Sequence, residues 1–125
     1  MRTIILAMLR RPVAQGLIAE LDKAAGVRAV YESDYERVTC AVSSRGADTL
    51  LIEVAEKGKY VVDYCLSLCD GVRNEAPGCR LLLLCPEQDE SCVWAVLGGM
   101  GAGRIDDFLF CDASTDFLVS KLLVA

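Results

Sequence analysis

Seven cysteines are the residues of this 125-residue chain best suited to chemistry, at positions 40, 65, 69, 79, 85, 92 and 111. Their number is odd and no C-x-x-C pair occurs, so the close thiolate spacing of a zinc site is missing. Cys65 and Cys69 stand four apart and share one helical face, which makes them the best pair for a metal or a redox bridge. The competing reading is that cysteine serves as a small buried hydrophobe in a reducing compartment. A Cys-x5-Arg phosphatase loop is absent, because four residues separate Cys40 from Arg45 and three separate Cys69 from Arg73. The chain has no histidine, so the commonest general base and the commonest metal ligand are both missing. Glu53 is the lone charge in the apolar run Thr49 to Val54, and Arg10 and Arg11 close the run Thr3 to Leu9. The glycine-rich stretch 98–103 follows a helical pattern and precedes a strand, the reverse of a phosphate-binding loop, and reads as a helix end and turn. Asp106 and Asp107 read as a solvated strand edge, and Lys57, Lys59 and Arg104 as surface charges.

Hydrophobic residues at 54% and charged residues at 25% exclude a disordered chain, and the length is that of one ordinary domain. Thirteen basic against 18 acidic residues leave a net charge of −5, which argues against direct binding of nucleic acid. The apolar runs fall far short of the roughly 20 residues that span a bilayer. Thr3 to Leu9 leads into Arg10, Arg11 and Pro12 rather than a small-residue cleavage site, so no signal peptide is read and a cytoplasmic location is expected.

The elements that must position these residues alternate between short apolar runs and amphipathic stretches, as βα repeats do. Strands are expected at Thr3–Leu9, Val27–Tyr31, Thr49–Val54, Leu81–Cys85 and Ile105–Cys111. The first helix carries Val13, Leu17, Ile18, Leu21 and Ala25, with Gly26 as its cap. The second is capped by Ser33 or Asp34 and presents Tyr35, Val38 and Val42. The third runs from about Lys59 to Val72 and buries Val61, Cys65, Leu68, Cys69 and Val72. The fourth, Ser91 to Met100, turns Val93, Val96, Leu97 and Met100 inward, and the last starts near Ser114 or Thr115 and runs to the end. Strands one, three and four are continuously apolar and belong in the middle of a parallel sheet; strands two and five carry charges and belong at its edges. The expected fold is therefore a three-layer α/β, doubly wound five-stranded parallel sheet of order 2-1-3-4-5, with any site beyond the strands' carboxyl ends.

Over essentially its whole length the chain resembles the receiver (CheY-like) domain of bacterial response regulators. The most specific stretch is Ala102-Gly103-Arg104-Ile105-Asp106-Asp107-Phe108-Leu109-Phe110-Cys111, similar to the family's Ala-Gly-Ala-x-Asp-Tyr/Phe-Leu-x-Lys segment with one extra residue. Gly16-Leu17 and Ala47-Asp48 also match. The resemblance implies an Mg²⁺-dependent phosphoryl-accepting pocket, but the residues depart from that pattern at each position. The metal-binding acids are replaced by Met8 and Leu9, followed by Arg10, and the acceptor position holds Glu53. Cys85 stands at the hydroxyl position, Cys111 at the lysine position, and Phe108 at the switch aromatic.

Mg²⁺ demands hard oxygen ligands, which Met8 and Leu9 do not supply. Without a metal and a lysine the charge of a transferring phosphoryl group is not neutralised. The expectation is a degenerate pocket with no metal and no cofactor, in a non-enzymatic module acting through protein contacts. Glu53 is read either as an imitation of phospho-aspartate or as a carboxylate solvated or paired with Arg10; the second is favoured, because a mimic needs donors and Cys85 is a poor one. A disulfide between Cys85 and Cys111, at the ends of neighbouring strands, is a further candidate. Residues 1–125 are expected to form the N-terminal part of a longer regulator with a fused or separate output partner, a DNA-binding one among the candidates, and to dimerise through residues 91–124. The rival reading is a small-ligand sensor or flavodoxin-like binding protein on the same fold.

Overall fold

Each of the five apolar runs becomes a parallel strand: β1 (Arg2–Ala7), β2 (Val27–Glu32), β3 (Thr49–Glu53), β4 (Arg80–Cys85) and β5 (Asp107–Phe110). The chain is described from a computed structural model covering residues 1–124. The strand order is β2-β1-β3-β4-β5, as the distribution of charges along the runs requires. Helices α1 (Arg11–Leu21), α2 (Val38–Arg45), α3 (Val62–Glu75), α4 (Glu90–Gly101) and α5 (Thr115–Leu122) cover both faces. Because successive strand residues point to opposite faces, two cores form. Ile4, Leu6, Met8, Leu51, Leu82 and Leu84 pack on one side with α1 and α5. Ile5, Ala7, Leu50, Ile52, Leu81 and Leu83 pack on the other with α2, α3 and α4.

Several boundaries differ from the sequence expectations, each for a local reason. Helix α1 ends at Leu21, four residues early, because the Lys23 and Ala24 N–H groups bond three residues back, to the Glu20 and Leu21 carbonyls, and the chain turns out of the α-helical pattern. Gly26, with φ +73°, serves the entry to β2 instead, where its carbonyl accepts from the Arg2 N–H. The second helix opens as a 3₁₀ turn (Tyr35–Arg37) in which the Asp34 carboxylate accepts from the Glu36 N–H. Helix α3 starts at Val62 rather than 59, since the Tyr60 carbonyl is taken by the Ala55 N–H.

Helix α4 is rotated from the expected face. Cys92, Val96 and Gly99 are buried, while Leu97 is exposed and Val93 only half-buried. Gly99 permits the close approach of α3, because a Cβ there would lie 2.9 Å from a Leu66 methyl. Asp106 is exposed, as expected of a solvated edge, but it also has bonding tasks. Its carboxylate accepts from the Leu81 N–H at 2.8 Å and from Arg73 at 3.1 Å, so β5 begins only at Asp107.

Arg104 and Lys59 are likewise paired, with Asp70 (2.7 and 3.0 Å) and Glu36 (2.6 Å). Helix α5 stops at Leu122, where Arg2 donates to the carbonyls of Leu122, Leu123 and Val124 and Arg80 to that of Lys121. Two arginines from strand starts thus satisfy carbonyls that the helix leaves open. Ala125, within the expected last helix, lies outside the described residues.

Candidate functional site

Glu53 ends β3 on the same side as Leu51, the face covered by α1, and this parity aims its carboxylate at the first residues of that helix. Oε1 accepts from the Leu9 N–H at 2.8 Å and the Arg10 N–H at 3.1 Å, and Oε2 accepts from Arg10 Nε at 2.5 Å. The residue is 4% exposed. Arg10, which precedes α1, has no side-chain cap of its own, so Glu53 supplies the acceptor that the helix start lacks. Between the solvated and the paired carboxylate that the sequence allowed, the paired one is observed: Glu53 is buried against Arg10.

Four of the six candidate pocket residues come together here. Leu9, Arg10 and Glu53 meet directly, and the Cys111 thiol faces Arg10, whose positive charge opposes the upward push of burial on that thiol. Met8 is buried below them in the α1–α5 core. Cys85 is not part of the group. In the β4–β5 register Cys85 pairs with Phe110, so Cys111 falls one residue beyond and points to the opposite face. The link between Cys85 and Cys111 is a backbone one, from the Cys111 N–H to the Cys85 carbonyl at 3.0 Å. The thiol neighbour of Cys85 is Cys92 in the first turn of α4, and their hydrogen bond together with burial pushes the Cys85 thiol up. Phe108 stacks edge-on with Phe110 at 5.5 Å, on the α4 side of the edge strand.

Two tyrosines complete the floor. The buried Tyr35 hydroxyl donates to the Glu53 carbonyl at 2.5 Å and lies 3.1 Å from the Ala7 carbonyl, tying β1 to β3 where their connections diverge. The Tyr31 hydroxyl donates to the Met8 carbonyl at 3.2 Å, and its ring lies under the Arg11 guanidinium. Sequence reasoning placed Tyr35 in the core without a task for its hydroxyl. The available signal was that a buried tyrosine needs a hydrogen-bond partner.

All seven cysteines are free. The Cys65, Cys69, Cys79, Cys85 and Cys92 side chains are buried, Cys111 is half-buried and Cys40 exposed. Among the described residues, no group of three or more Cys, Asp or Glu side chains is arranged to hold a metal ion. Thiol labelling of the folded protein is expected to modify Cys40 fast and Cys111 slowly, and to reach the other five only after unfolding. Peptide mapping that finds Cys85 labelled as fast as Cys40 would contradict this placement.

No family model and no curated protein sequence matches the chain. Solved structures do. An adenylate cyclase from Rhodopirellula baltica superposes with a TM-score of 0.80 at 11% identity, over 97% of this chain and 84% of that one. A LuxR-family DNA-binding response regulator from Staphylococcus aureus gives 0.74 at 8% identity, over 96% and 94%. The beryllofluoride-activated receiver domain of a Klebsiella pneumoniae regulator gives 0.73 at 19% identity, over 97% and 95%. With the sheet order, the five helices and the two-sided core, these likenesses show that the chain has the CheY-like receiver fold.

Proposed function

We propose that this domain is a degenerate receiver: a signalling module that acts through protein contacts and does not accept a phosphoryl group by the Mg²⁺-dependent route of its fold. The observation that carries this reading is the occupancy of the Glu53 carboxylate, whose two oxygens are taken by Arg10 and by two backbone N–H groups. A carboxylate so held is neither a free nucleophile nor a metal ligand. The residues present do not fit Mg²⁺, because the neighbouring positions are Met8 and Leu9 and the nearest charge is the cation of Arg10. In this reading Arg10 stands permanently where a switchable charge would come and go, and the pocket keeps one state.

Signal transfer then falls to the surface. We place it on residues 91–124, where α4, the β5 edge with Phe108, and α5 meet. The output is a fused domain or a separate protein, and the DNA-binding response regulator among the structural neighbours supports a transcriptional one. Self-association would use the same face. Although one neighbour is an adenylate cyclase, the pocket described here lacks the groups for phosphoryl transfer, which supports a non-enzymatic role. Among the described residues, no helix is long and apolar enough to cross a membrane. The rival reading of an anion sensor finds its two arginines engaged, Arg10 by Glu53 and Arg11 over Tyr31. Titration with Mg²⁺ and beryllofluoride tests the proposal, and no binding is expected.

A further inference from the structure

Helix α4 is apolar on the side that should be polar. A surface helix buries one stripe and exposes charge on the other, whereas a helix that is apolar all round belongs in an interior. Here the buried stripe is Cys92, Val96 and Gly99, yet the opposite side presents Trp94 at 74% exposure and Leu97 at 45%. After Glu90 the helix carries no charge at all. Trp94 and Leu97 stand four and seven residues beyond Glu90, so the three share one face. With Val93 and the preceding Glu87 and Gln88 they line an open groove of about 630 Å³.

The rim of that groove is acidic without compensation. From Leu81 to Gly103 the chain has Glu87, Asp89 and Glu90 and no lysine or arginine. Asp89 is used internally, accepting from the Cys92 N–H at the start of α4. Glu87 and Glu90 have no basic partner within ion-pair distance among the described residues. Glu87 instead faces another acid, Asp112, and the proton the two can share raises the Glu87 carboxyl. Acidic side chains without a basic partner, beside an exposed indole, select for a cation, since lysine or arginine pairs with the acids and also stacks on the ring face.

We infer that the groove formed by Glu87, Glu90, Val93, Trp94 and Leu97 is a docking site for a protein segment that carries lysine or arginine beside an apolar anchor. The inference rests on the reading of the domain as a protein-contact module, and it names the chemistry of the partner. A second copy of this chain does not fit this groove, because a symmetric contact across it would set the same acidic side chains against each other, so self-association through residues 91–124 would run through β5 and α5 instead.

Trp94 is the only tryptophan and reports directly. The probe is a short helical peptide of leucine, alanine and lysine, compared with its counterpart bearing glutamate for lysine. The lysine peptide is expected to shift Trp94 emission saturably, and the glutamate peptide is not. Because the charged rim is exposed, raising salt and the double variant Glu87→Gln/Glu90→Gln should each weaken binding about tenfold. Trp94→Ala, followed by labelled peptide, should weaken it about thirtyfold, as loss of a central aromatic anchor does, with the melting temperature unchanged. Equal binding of both peptides, or of neither, overturns the inference. So does concentration-dependent dimerisation that Trp94→Ala abolishes. None of these results touches the pocket, which the Mg²⁺–beryllofluoride titration tests separately.

Discussion

Replacing Glu53 with alanine is expected to lower the stability of the fold by about 2–4 kcal/mol, a core-sized loss from a residue at the sheet's rim. The truncation leaves the Leu9 and Arg10 N–H groups without their acceptor and frees the Arg10 side chain. A fully buried donor left unpaired costs about 1–3 kcal/mol, and these part-buried ones cost less because water entering the gap reaches them. Glu53→Gln keeps the length and one acceptor oxygen, so it should cost about half as much. Arg10→Ala is milder than burial of Glu53 alone suggests. The arginine side chain is 49% exposed, and two backbone N–H groups still hold the carboxylate, so a loss of about 1 kcal/mol is expected after allowing for solvent screening. The double variant Glu53→Ala/Arg10→Ala should fall short of the sum of the single losses by a coupling of about 1 kcal/mol. Urea unfolding of the parent and these four variants checks this. Additive losses, or a Glu53→Ala variant as stable as the parent, would mean that the carboxylate is not held as described.

Stability should fall steeply above pH 9. Burial pushes the thiols of Cys65 and Cys69 up to about 12 and that of Cys79 to about 11, from an ordinary 9.0. A raised value means that the folded state keeps protons that the unfolded chain releases. The stabilisation is therefore complete below pH 9 and is lost as pH rises through the folded values. Each thiol contributes about 1.4 kcal/mol per pH unit in that window, so the three together remove about 4 kcal/mol per unit. A domain at the lower end of the usual range, holding about 5 kcal/mol, should unfold between one and two units above pH 9. The contact between Cys85 and Cys92 raises the first thiol and lowers the second, so their contributions oppose each other and the slope rests on Cys65, Cys69 and Cys79. Denaturation curves at stepped pH give the slope, and Cys69→Ala should reduce it by about a third. Stability that stays flat from pH 9 to 11 would contradict the burial of these thiols.

The sheet was legible in the sequence because its signals were unmixed. Strands two-sided in their apolarity sat in the middle, strands with Arg28 or Asp107 sat at the edges, and a single order satisfied both. The Glu53–Arg10 pair was legible too, since a lone carboxylate at a strand end faced a lone basic pair across the switch point. What stayed hidden was rotation and register. Helix α4 is apolar on every side, so periodicity held no information about which side faces in. The failure to see that Leu97 is exposed and the exposed groove have one cause. Cys85 and Cys111 end neighbouring strands, and only the register, Cys85 to Phe110, reveals that they face opposite sides. The tasks of Asp106 and Tyr35 depend on partners 25 and 18 residues away in the chain, beyond the reach of local pattern.

The central claim is that the pocket is filled by its own side chains. The direct measurement is thermal stability and Trp94 emission during titration with Mg²⁺ and beryllofluoride, the phosphoryl mimic bound by one structural neighbour. A ligand that binds only the folded state raises stability by about 2.7 kcal/mol at a hundredfold excess over its dissociation constant. With Glu53 held by Arg10 and no second acid beside it, the account predicts no shift in melting temperature or emission at any concentration. A saturable shift of either, lost in Glu53→Gln, would show a working acceptor pocket and contradict the account.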